Sequence, residues 1–389
     1  MVDKARASHS ILSLPASFVI GFVILYLRSM LTITTIVGVP DLVDKVMLLA
    51  GSIFLVFHCI AHSASYKGKY IFAIMSICIG LICYVKSGES AAFVVVLTVL
   101  AAATVDDIDD VVRFWLGCTA ALVVFLVLLF AIEMVIDPQS LKFIYRLSDD
   151  GVGRQRSAFF FSHPNMFGAI ALMACSAFVY LRYDKLSLVH YFLVICVAGF
   201  VLVTSDSKTS FLLIVALVVL SMLQKSRGIF DGKRMRRMVG ILPLVGFVAV
   251  LLVAGPLYSD SLGGLLTGRL SLWHACFENQ GVTLLGQEFQ SSISVGSNGW
   301  VYYYTTLDCA YAQGLFVLGI VFSLWFSWAV WKCATCEELE PGRVLPALLV
   351  MFLFGITEVH VFTFAICYVI LLLGKPILSK APYKGGSRK

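Results

Sequence analysis

The chain has 389 residues, of which 60% are hydrophobic and 13% are charged, and its formal net charge is +6 at pH 7. A water-soluble domain cannot bury so large an apolar fraction, so the composition excludes a soluble globular protein and predicts a polytopic membrane protein. The 11 cysteines are scattered mostly through apolar runs, where cysteine behaves as a small hydrophobic residue, and they do not indicate a disulfide framework.

Apolar runs near the length of a membrane span, roughly 17 to 25 residues, recur along the whole chain. They lie at about 11–27, 45–61, 70–86, 89–105, 113–136, 165–181, 187–204, 209–223, 238–257 and 309–331. The last apolar stretch, 344–373, is too long for one helix and short for two, and its middle reads GITEVHVF. We therefore predict two short helices that are broken near Glu358 and His360.

The distribution of positive charge is consistent with this count, because Lys and Arg accumulate in short cytoplasmic loops. With the N-terminus inside, twenty of the 29 Lys and Arg residues fall on the cytoplasmic side, including the cluster from Lys225 to Arg237 and the tail from Lys375 to Lys389. An eleven-helix chain would place that tail outside. The predicted fold is thus an all-α, polytopic membrane helix bundle, one transmembrane domain over 1–389. It has about twelve transmembrane helices, both termini in the cytoplasm, and two longer external loops at about 137–164 and 258–308.

The two external loops carry five basic residues, although external loops normally avoid such charge. These are Lys142, Arg146, Arg154, Arg156 and Arg269. The guanidinium of arginine matches phosphate oxygens with two parallel hydrogen bonds, so arginines from both loops can form a diphosphate clamp. Arg154 and Arg156 are two residues apart and face the same side of an extended strand. Pairing with lipid phosphate, or with Asp149 or Asp150, is the alternative for these arginines.

The segment that follows them opens the next helix. We predict that Phe159 to Phe161 dip into the lipid interface, and that His163-Pro164-Asn165 begins a helix with proline at its first position. Such a helix start presents free N–H groups and a partial positive charge to an anion. His163 has two open interpretations, a contact to the ligand or a simple helix cap.

These residues resemble motifs of the O-antigen polymerase and O-antigen ligase family of bacterial membrane glycosyltransferases. The similar segments are Arg154 with Phe161-Ser162-His163-Pro164-Asn165 and Gly168, then Thr204-Ser205-Asp206-Ser207-Lys208-Thr209, then Gly268-Arg269 with Trp273 and Leu285-Gly286, then Leu307-Asp308 with Tyr311 and Gly319-Ile320, and finally Glu358. The resemblance covers roughly 104–373. Asp308 stands where the ligases carry a histidine, which favours the polymerase branch. Ser297-Asn298 offers a second match to the motif at Asp308.

The resemblance implies a polymerase of O-antigen, capsule or exopolysaccharide in the bacterial cytoplasmic membrane, with its active site facing outside. The donor is an oligosaccharide on undecaprenyl diphosphate, and the acceptor is the sugar hydroxyl of another lipid-linked repeat unit. On this reading Arg154, Arg156 and Arg269 stabilise the leaving diphosphate, while Asn165 and Tyr311 help bind the substrate. The base is Asp308, Glu358 or His163, in that order of preference.

The same resemblance implies no cofactor and no metal ion, and no nucleic acid as a partner. Its partners are the lipid-linked oligosaccharide, membrane lipids, and the flippase and chain-length regulator of the same process. The alternatives are a ligase with a different acceptor and a transporter or flippase of lipid-linked saccharides. A transporter would place ionisable residues near the middle of the bilayer, whereas this chain concentrates them at the outer rim.

Overall fold

We describe the fold from a computed structural model, which covers residues 14–62, 69–137, 141, 143–147, 153–259, 261, 269–289, 292–295, 301–304 and 307–378. The longer helices are α1 (Ala16–Ile33), α2 (Asp41–Ala61), α3 (Tyr70–Ser87), α4 (Ala91–Ala103), α5 (Ile108–Ile136), α6 (Pro164–Arg182), α7 (Leu188–Ser205), α8 (Lys208–Arg227), α9 (Lys233–Ala254), α10 (Arg269–Gln280), α12 (Ile320–Thr335) and α13 (Pro341–Thr357). The short helices are α11 (Ala310–Gln313), α14 (Val369–Leu372) and α15 (Gly374–Leu378). Two antiparallel hairpins, β1 (Ile144–Leu147) with β2 (Gly153–Arg156) and β3 (Ser292–Val295) with β4 (Val301–Tyr304), complete the described elements.

The helices have the length and composition of a membrane protein. Within the described ranges, eight of them, α1 to α3 and α5 to α9, are long and apolar enough to cross a bilayer, and α4, α12 and α13 are shorter apolar helices. The predicted all-α, polytopic membrane character is confirmed at this level. Outer helices expose large apolar side chains such as Ile71 and Val203, whereas α4 and α6 are mostly buried and form the centre of the bundle. The helices packed around α6 hold its first turn in place.

Hydrogen bonds between helix ends define one face of the bundle, here called the Glu358 face. The end of α1 meets the segment before α6, where Thr35 donates its backbone N–H to the carbonyl of Phe160 at 2.7 Å. The end of α7 meets the end of β2, where Ser157 N–H donates to the carbonyl of Thr204 at 2.8 Å. Glu358 itself follows the last residue of α13.

The opposite ends of the helices form a second face, here called the Asp109 face. Asp109 at the start of α5 accepts hydrogen bonds from Tyr180 near the end of α6, at 2.9 Å, and from Arg343 at the start of α13, at 2.7 Å. The chain returns to this face after Glu358, because Lys375 in α15 donates to the carbonyl of Asp106 at 3.0 Å. The bonds from Tyr180 and Arg343 thus tie α6 and α13 to one carboxylate at the start of α5.

Two predicted spans have a different local structure. The run 309–331, predicted as one helix, consists of α11, a π-helical turn (Gly314–Leu318) and α12, with a break at Gly319, whose φ is +90°. The break forms because backbone N–H groups of Ile320 and Val321 bond to carbonyls of Thr283 and Leu284 in the loop after α10, both at 3.0 Å. Those N–H groups would otherwise lack partners at the start of α12.

The stretch 344–373 is broken where the sequence predicts it, since α13 ends at Thr357 and Glu358 caps it in an extended conformation. The second half is not a continuous helix. It consists of a 3-10 turn (Val359–Phe362), an irregular segment and the short helices α14 and α15.

Candidate functional site

A cavity of about 470 Å³ opens on the Glu358 face, and its wall contains five of the residues that the sequence singled out: His163, Asn165, Arg269, Asp308 and Glu358. They come from the start of α6, the start of α10, the segment before α11 and the end of α13. Residues nearly two hundred positions apart in sequence therefore share one chamber. The arrangement unites an arginine, a helix start and two carboxyl groups.

The start of α6 forms one side of this cavity and has the geometry that its sequence predicts. His163 is the residue before the helix, Pro164 is its first residue, and the His163 Nδ1 atom accepts a hydrogen bond from the backbone N–H of Asn165 at 3.1 Å. The helix-cap interpretation of His163 is thus confirmed, and the ring also lines the cavity. Desolvation of the ring and the nearby Arg156 lower the pKa of His163 below its ordinary value, although Asp308 opposes the shift.

Arg156 lies beneath the cavity wall, with 5% of its surface exposed. Its Nε donates to the carbonyl of Ser205 at 2.8 Å, and its Nη2 donates to Oδ1 of Asn165 at 2.7 Å. Ser205 ends α7, so its carbonyl has no partner within the helix, and the guanidinium supplies one. Arg156 therefore contacts Asn165 rather than lining the cavity, in contrast to the predicted direct contact with diphosphate.

Arg154 lies in β2, opposite Arg146 of β1, so the extended conformation predicted for Arg154 and Arg156 is present. The side chain of Arg154 is outside the described part of the structure, as are Asp149, Asp150 and Ser297-Asn298.

The prediction for the phenylalanines is wrong for Phe159 and Phe161, which do not face the lipid interface. They are 5% and 2% exposed, and Phe159 packs against the rings of Phe130 and Phe167, with centroid distances of 4.8 and 4.5 Å. Phe159 and Phe160 both have positive φ, 47° and 63°, a costly conformation for bulky residues. Their packing fixes the chain path into His163.

Arg269 and Asp308 form the side of the cavity opposite α6. Arg269 Nε lies 3.6 Å from Asp308 Oδ2, and the two side chains are 24% and 53% exposed. Helix α10 holds Arg269 in place because Trp273 and Cys276 are buried, while His274 Nδ1 bonds to the carbonyl of Ala254 at the end of α9, at 2.7 Å. Among the side chains that the structure describes, Arg269 carries the guanidinium on the cavity wall.

Glu358 is a partly buried carboxyl group on the cavity wall. Its Oε1 accepts a hydrogen bond from Nδ2 of Asn165 at 3.2 Å. Burial raises the pKa of Glu358 to about 7, with Asp308 acting in the same direction and with Arg269, Asn165 and Arg156 opposing it. A carboxyl group that titrates near neutral pH is suited to accept a proton during a reaction.

Tyr311 was predicted to bind substrate, but the structure places it in the packed interior. The ring is 2% exposed and stands against Phe247 and Phe352, and its hydroxyl donates to the carbonyl of Phe352 at 3.0 Å. A Cβ on Gly246 would lie 2.9 Å from the ring. Tyr311 thus joins α9, α11 and α13 and does not reach the cavity.

Two glycine contacts hold the predicted motifs together. A Cβ on Gly168 of α6 would lie 2.4 Å from Oγ of Ser207, so the serine turn between α7 and α8 packs directly on the helix that carries His163 and Asn165. Gly286 and Gly319 meet in the same way, since a Cβ on Gly319 would lie 2.3 Å from the backbone N of Gly286. The contact at Gly168 packs the serine turn against α6, and the contact at Gly319 packs the loop after α10 against the helix break.

Sequence reasoning missed Glu89 and Gln313, which also line the cavity. Glu89 lies in the tight connection between α3 and α4, directly after Gly88 in its left-handed conformation. A single acidic residue in a short loop has no motif around it, so nothing local marks Glu89. Within the described ranges, no group of three or more His, Cys, Asp and Glu side chains is placed to hold a metal ion.

Comparison of the chain with protein-family models, with curated proteins and with solved structures finds no match. The assignment of function therefore depends on the residues of the cavity and their chemistry.

Proposed function

We propose that this protein is a polysaccharide repeat-unit polymerase, a glycosyltransferase that uses a polyprenyl-diphosphate-linked glycan as donor. The observation that carries the proposal is the single cavity that joins Arg269, the start of α6 and the carboxyl group of Glu358. Arg269 and the helix start suit a phosphate-bearing leaving group. The carboxyl group is suited to accept the proton of an attacking hydroxyl.

In the proposed reaction, a sugar hydroxyl oxygen of the acceptor attacks the anomeric carbon of the donor glycan. The bond from that carbon to the diphosphate oxygen breaks, and the lipid diphosphate leaves with the electron pair. Arg269, with the partial positive charge at the start of α6, stabilises the negative charge that develops on the leaving oxygens. The proton of the hydroxyl passes to a carboxylate of the protein.

We assign that carboxylate to Glu358 rather than to Asp308. The carboxyl group of Glu358 is partly buried and bonded to Asn165, with a pKa raised to about 7. Asp308 is 53% exposed and lies beside the Arg269 guanidinium, where it orients the clamp. This reverses the order that the sequence favoured, because burial cannot be read from the motif.

We also propose how many times the chain crosses the membrane and which side the cavity faces. Twelve passes result if the short helices α4, α12 and α13 cross the membrane and the broken segment after Glu358 does so as well. The hydrogen bonds and ion pairs at the two faces favour this, because they place the ends of these segments on opposite faces. The cluster from Lys225 to Arg237 lies at the Asp109 face, because Lys225 donates to the carbonyl of Leu186 after α6 and Arg236 donates to that of Cys336 before α13. The positive-inside rule then makes this face cytoplasmic. The cavity then faces the outside of a bacterial cytoplasmic membrane.

Purified protein in liposomes, supplied with a chemically defined lipid-linked repeat unit, tests the proposal. A ladder of lipid-linked oligomers separated by one repeat unit is the expected product. Transfer only to an added foreign acceptor identifies a ligase, and movement of the lipid across the bilayer without a new glycosidic bond identifies a flippase. Either result replaces the polymerase assignment.

A further inference from the structure

We propose that Arg156 and Asn165 form a relay that aims the carboxylate of Glu358 into the cavity, so that Arg156 is a positioning residue and not a ligand of the diphosphate. This inference deepens the proposed function and depends on it for the role of Glu358 as base. It assigns Asn165 a defined task between a buried cation and the reacting carboxyl group.

The first step of the relay is a fixed guanidinium. Arg156 is 5% exposed and bonds to the carbonyl of Ser205 through Nε at 2.8 Å. That carbonyl lies at the negative end of α7, which favours a cation there. The strand that carries Arg156 is also held to α7, because the next residue, Ser157, donates its N–H to the carbonyl of Thr204 at 2.8 Å.

The second step is the orientation of the Asn165 amide. A guanidinium donates hydrogen bonds and accepts none, so the atom of Asn165 that lies 2.7 Å from Arg156 Nη2 must be the carbonyl oxygen Oδ1. A flipped amide would place its NH₂ group against another donor. The contact with Arg156 therefore directs Nδ2 of Asn165 toward Glu358, where it donates to Oε1 at 3.2 Å.

The third step is the effect on Glu358. A hydrogen bond donated to a carboxylate stabilises its charged form and fixes one oxygen, leaving the second oxygen for the substrate. The charged and titratable groups around Glu358 are Arg269, Asp308 and Arg156, and Glu89, His163 and His360 line the same cavity. Burial opposes ionisation of Glu358, whereas the donor from Asn165 favours it. Loss of the relay therefore raises the pKa of this carboxyl group and leaves it misdirected.

The relay predicts a specific kinetic pattern for two variants. Asn165→Ala removes the donor to Glu358, and Arg156→Lys keeps the charge but cannot hold Ser205 and Asn165 in one rigid fork. We expect kcat to fall about tenfold or more in both, since general base catalysis contributes about a hundredfold or more in total. KM for the lipid-linked donor should stay within about twofold, because neither variant removes a diphosphate contact. The pH–rate profile of each should shift to higher pH.

A second readout does not require activity. Infrared difference spectra of the purified protein across pH follow the protonated carboxyl band of Glu358, which Glu358→Gln identifies by its loss. The band should titrate at a higher pH in Asn165→Ala and Arg156→Lys than in the wild type. It should be unchanged in Gln155→Ala, a control on the same strand whose side chain is exposed. Thermal melting of each variant verifies that it is folded.

The two readouts separate failure of the relay from failure of the proposed function. If the band of Glu358 titrates at the wild-type pH in both variants, the relay is wrong. If the variants raise KM and leave kcat unchanged, the relay is also wrong, and Arg156 and Asn165 bind substrate. If the band shifts but the wild-type protein forms no glycan ladder, the relay stands and the polymerase assignment fails.

Discussion

Among single residues, Glu358 is the group that we expect to set the pH dependence. Because burial raises its pKa to about 7, most Glu358 side chains are protonated below that pH and ionised above it. We predict that kcat/KM of the wild type rises through about pH 7 to a plateau. Glu358→Gln should be inactive at every pH, whereas Asp308→Asn should keep a measurable fraction of activity. The reverse ranking of these two variants would move the base to Asp308.

The same shift has a consequence for stability. The folded-state pKa of Glu358 lies above its ordinary value, so stability is greatest below the unfolded pKa and is lost as pH rises through about 7. Glu358→Gln cannot ionise and should therefore have a higher thermal unfolding midpoint than the wild type at pH 8. Its midpoint should be close to that of the wild type at pH 5. A midpoint at or below the wild type at pH 8 would show that the carboxylate is not destabilising.

Among the side chains that the structure describes, Arg269 carries the guanidinium of the clamp. We expect its planar shape to matter as well as its charge. We predict that Arg269→Ala lowers polymerisation about a hundredfold to a thousandfold, the usual effect of removing one preorganised donor. Arg269→Lys should also be impaired, because lysine lacks the planar fork. Arg182→Ala, at the far end of α6, is the matched control and should be as active as the wild type. Normal activity in Arg269→Ala would show that Arg269 does not stabilise the leaving diphosphate.

At the scale of elements, the position of α6 depends on a contact that only glycine permits. A side chain on Gly168 would meet Oγ of Ser207 at 2.4 Å, so Gly168→Ala should push α6 away from the α7–α8 turn and displace His163 and Asn165. We expect a large loss of kcat and partial rescue by a second change, Ser207→Gly. Gly199→Ala on α7, where a Cβ meets nothing within 4 Å, should be neutral. Equal activity of both alanine variants would contradict this packing role.

The sequence predicts much of the helical pattern, since long apolar runs and a broken stretch at Glu358 are visible in it. It could not predict the break at Gly319, because the cause lies in carbonyls of Thr283 and Leu284 that reach it from a distant loop. It also misplaced Phe159 and Phe161, since an apolar side chain suits lipid and protein interior equally well. The resemblance placed Tyr311 among the binding residues, but a motif does not distinguish a packing position from a contact with substrate.

For the candidate site, the residues themselves indicated His163, Asn165 and Arg269, and the resemblance added Asp308 and Glu358. Neither showed how these residues interact. The role of Arg156 depends on a fold that brings Ser205 and Asn165 to opposite sides of its guanidinium. Both partners lie in motif segments, but the sequence does not show that either contacts Arg156. The division of labour between binding and positioning arginines is therefore information that only tertiary structure supplies.

For the whole molecule, we predict that Gly38 and Gly232 lie on opposite sides of the membrane. Both are exposed, and a Cβ at either would meet nothing within 4 Å, so short epitope insertions there should be tolerated. The tag at Gly38 should be labelled in cells whose cytoplasmic membrane is intact. Tags at Gly232 and after Lys389 should be labelled only after that membrane is permeabilised. Labelling of the C-terminal tag from outside would rule out twelve passes.

We propose that lipid-linked sugars are joined in one cavity, where Arg269 binds the diphosphate and Glu358 accepts the proton. The most direct test of this proposal is the product pattern of purified protein in liposomes given one lipid-linked repeat unit, compared with Glu358→Gln under the same conditions. We expect a ladder of oligomers from the wild type and unextended donor from the variant. A ladder of equal length from Glu358→Gln, or no new glycosidic bond from folded wild-type protein, would contradict it.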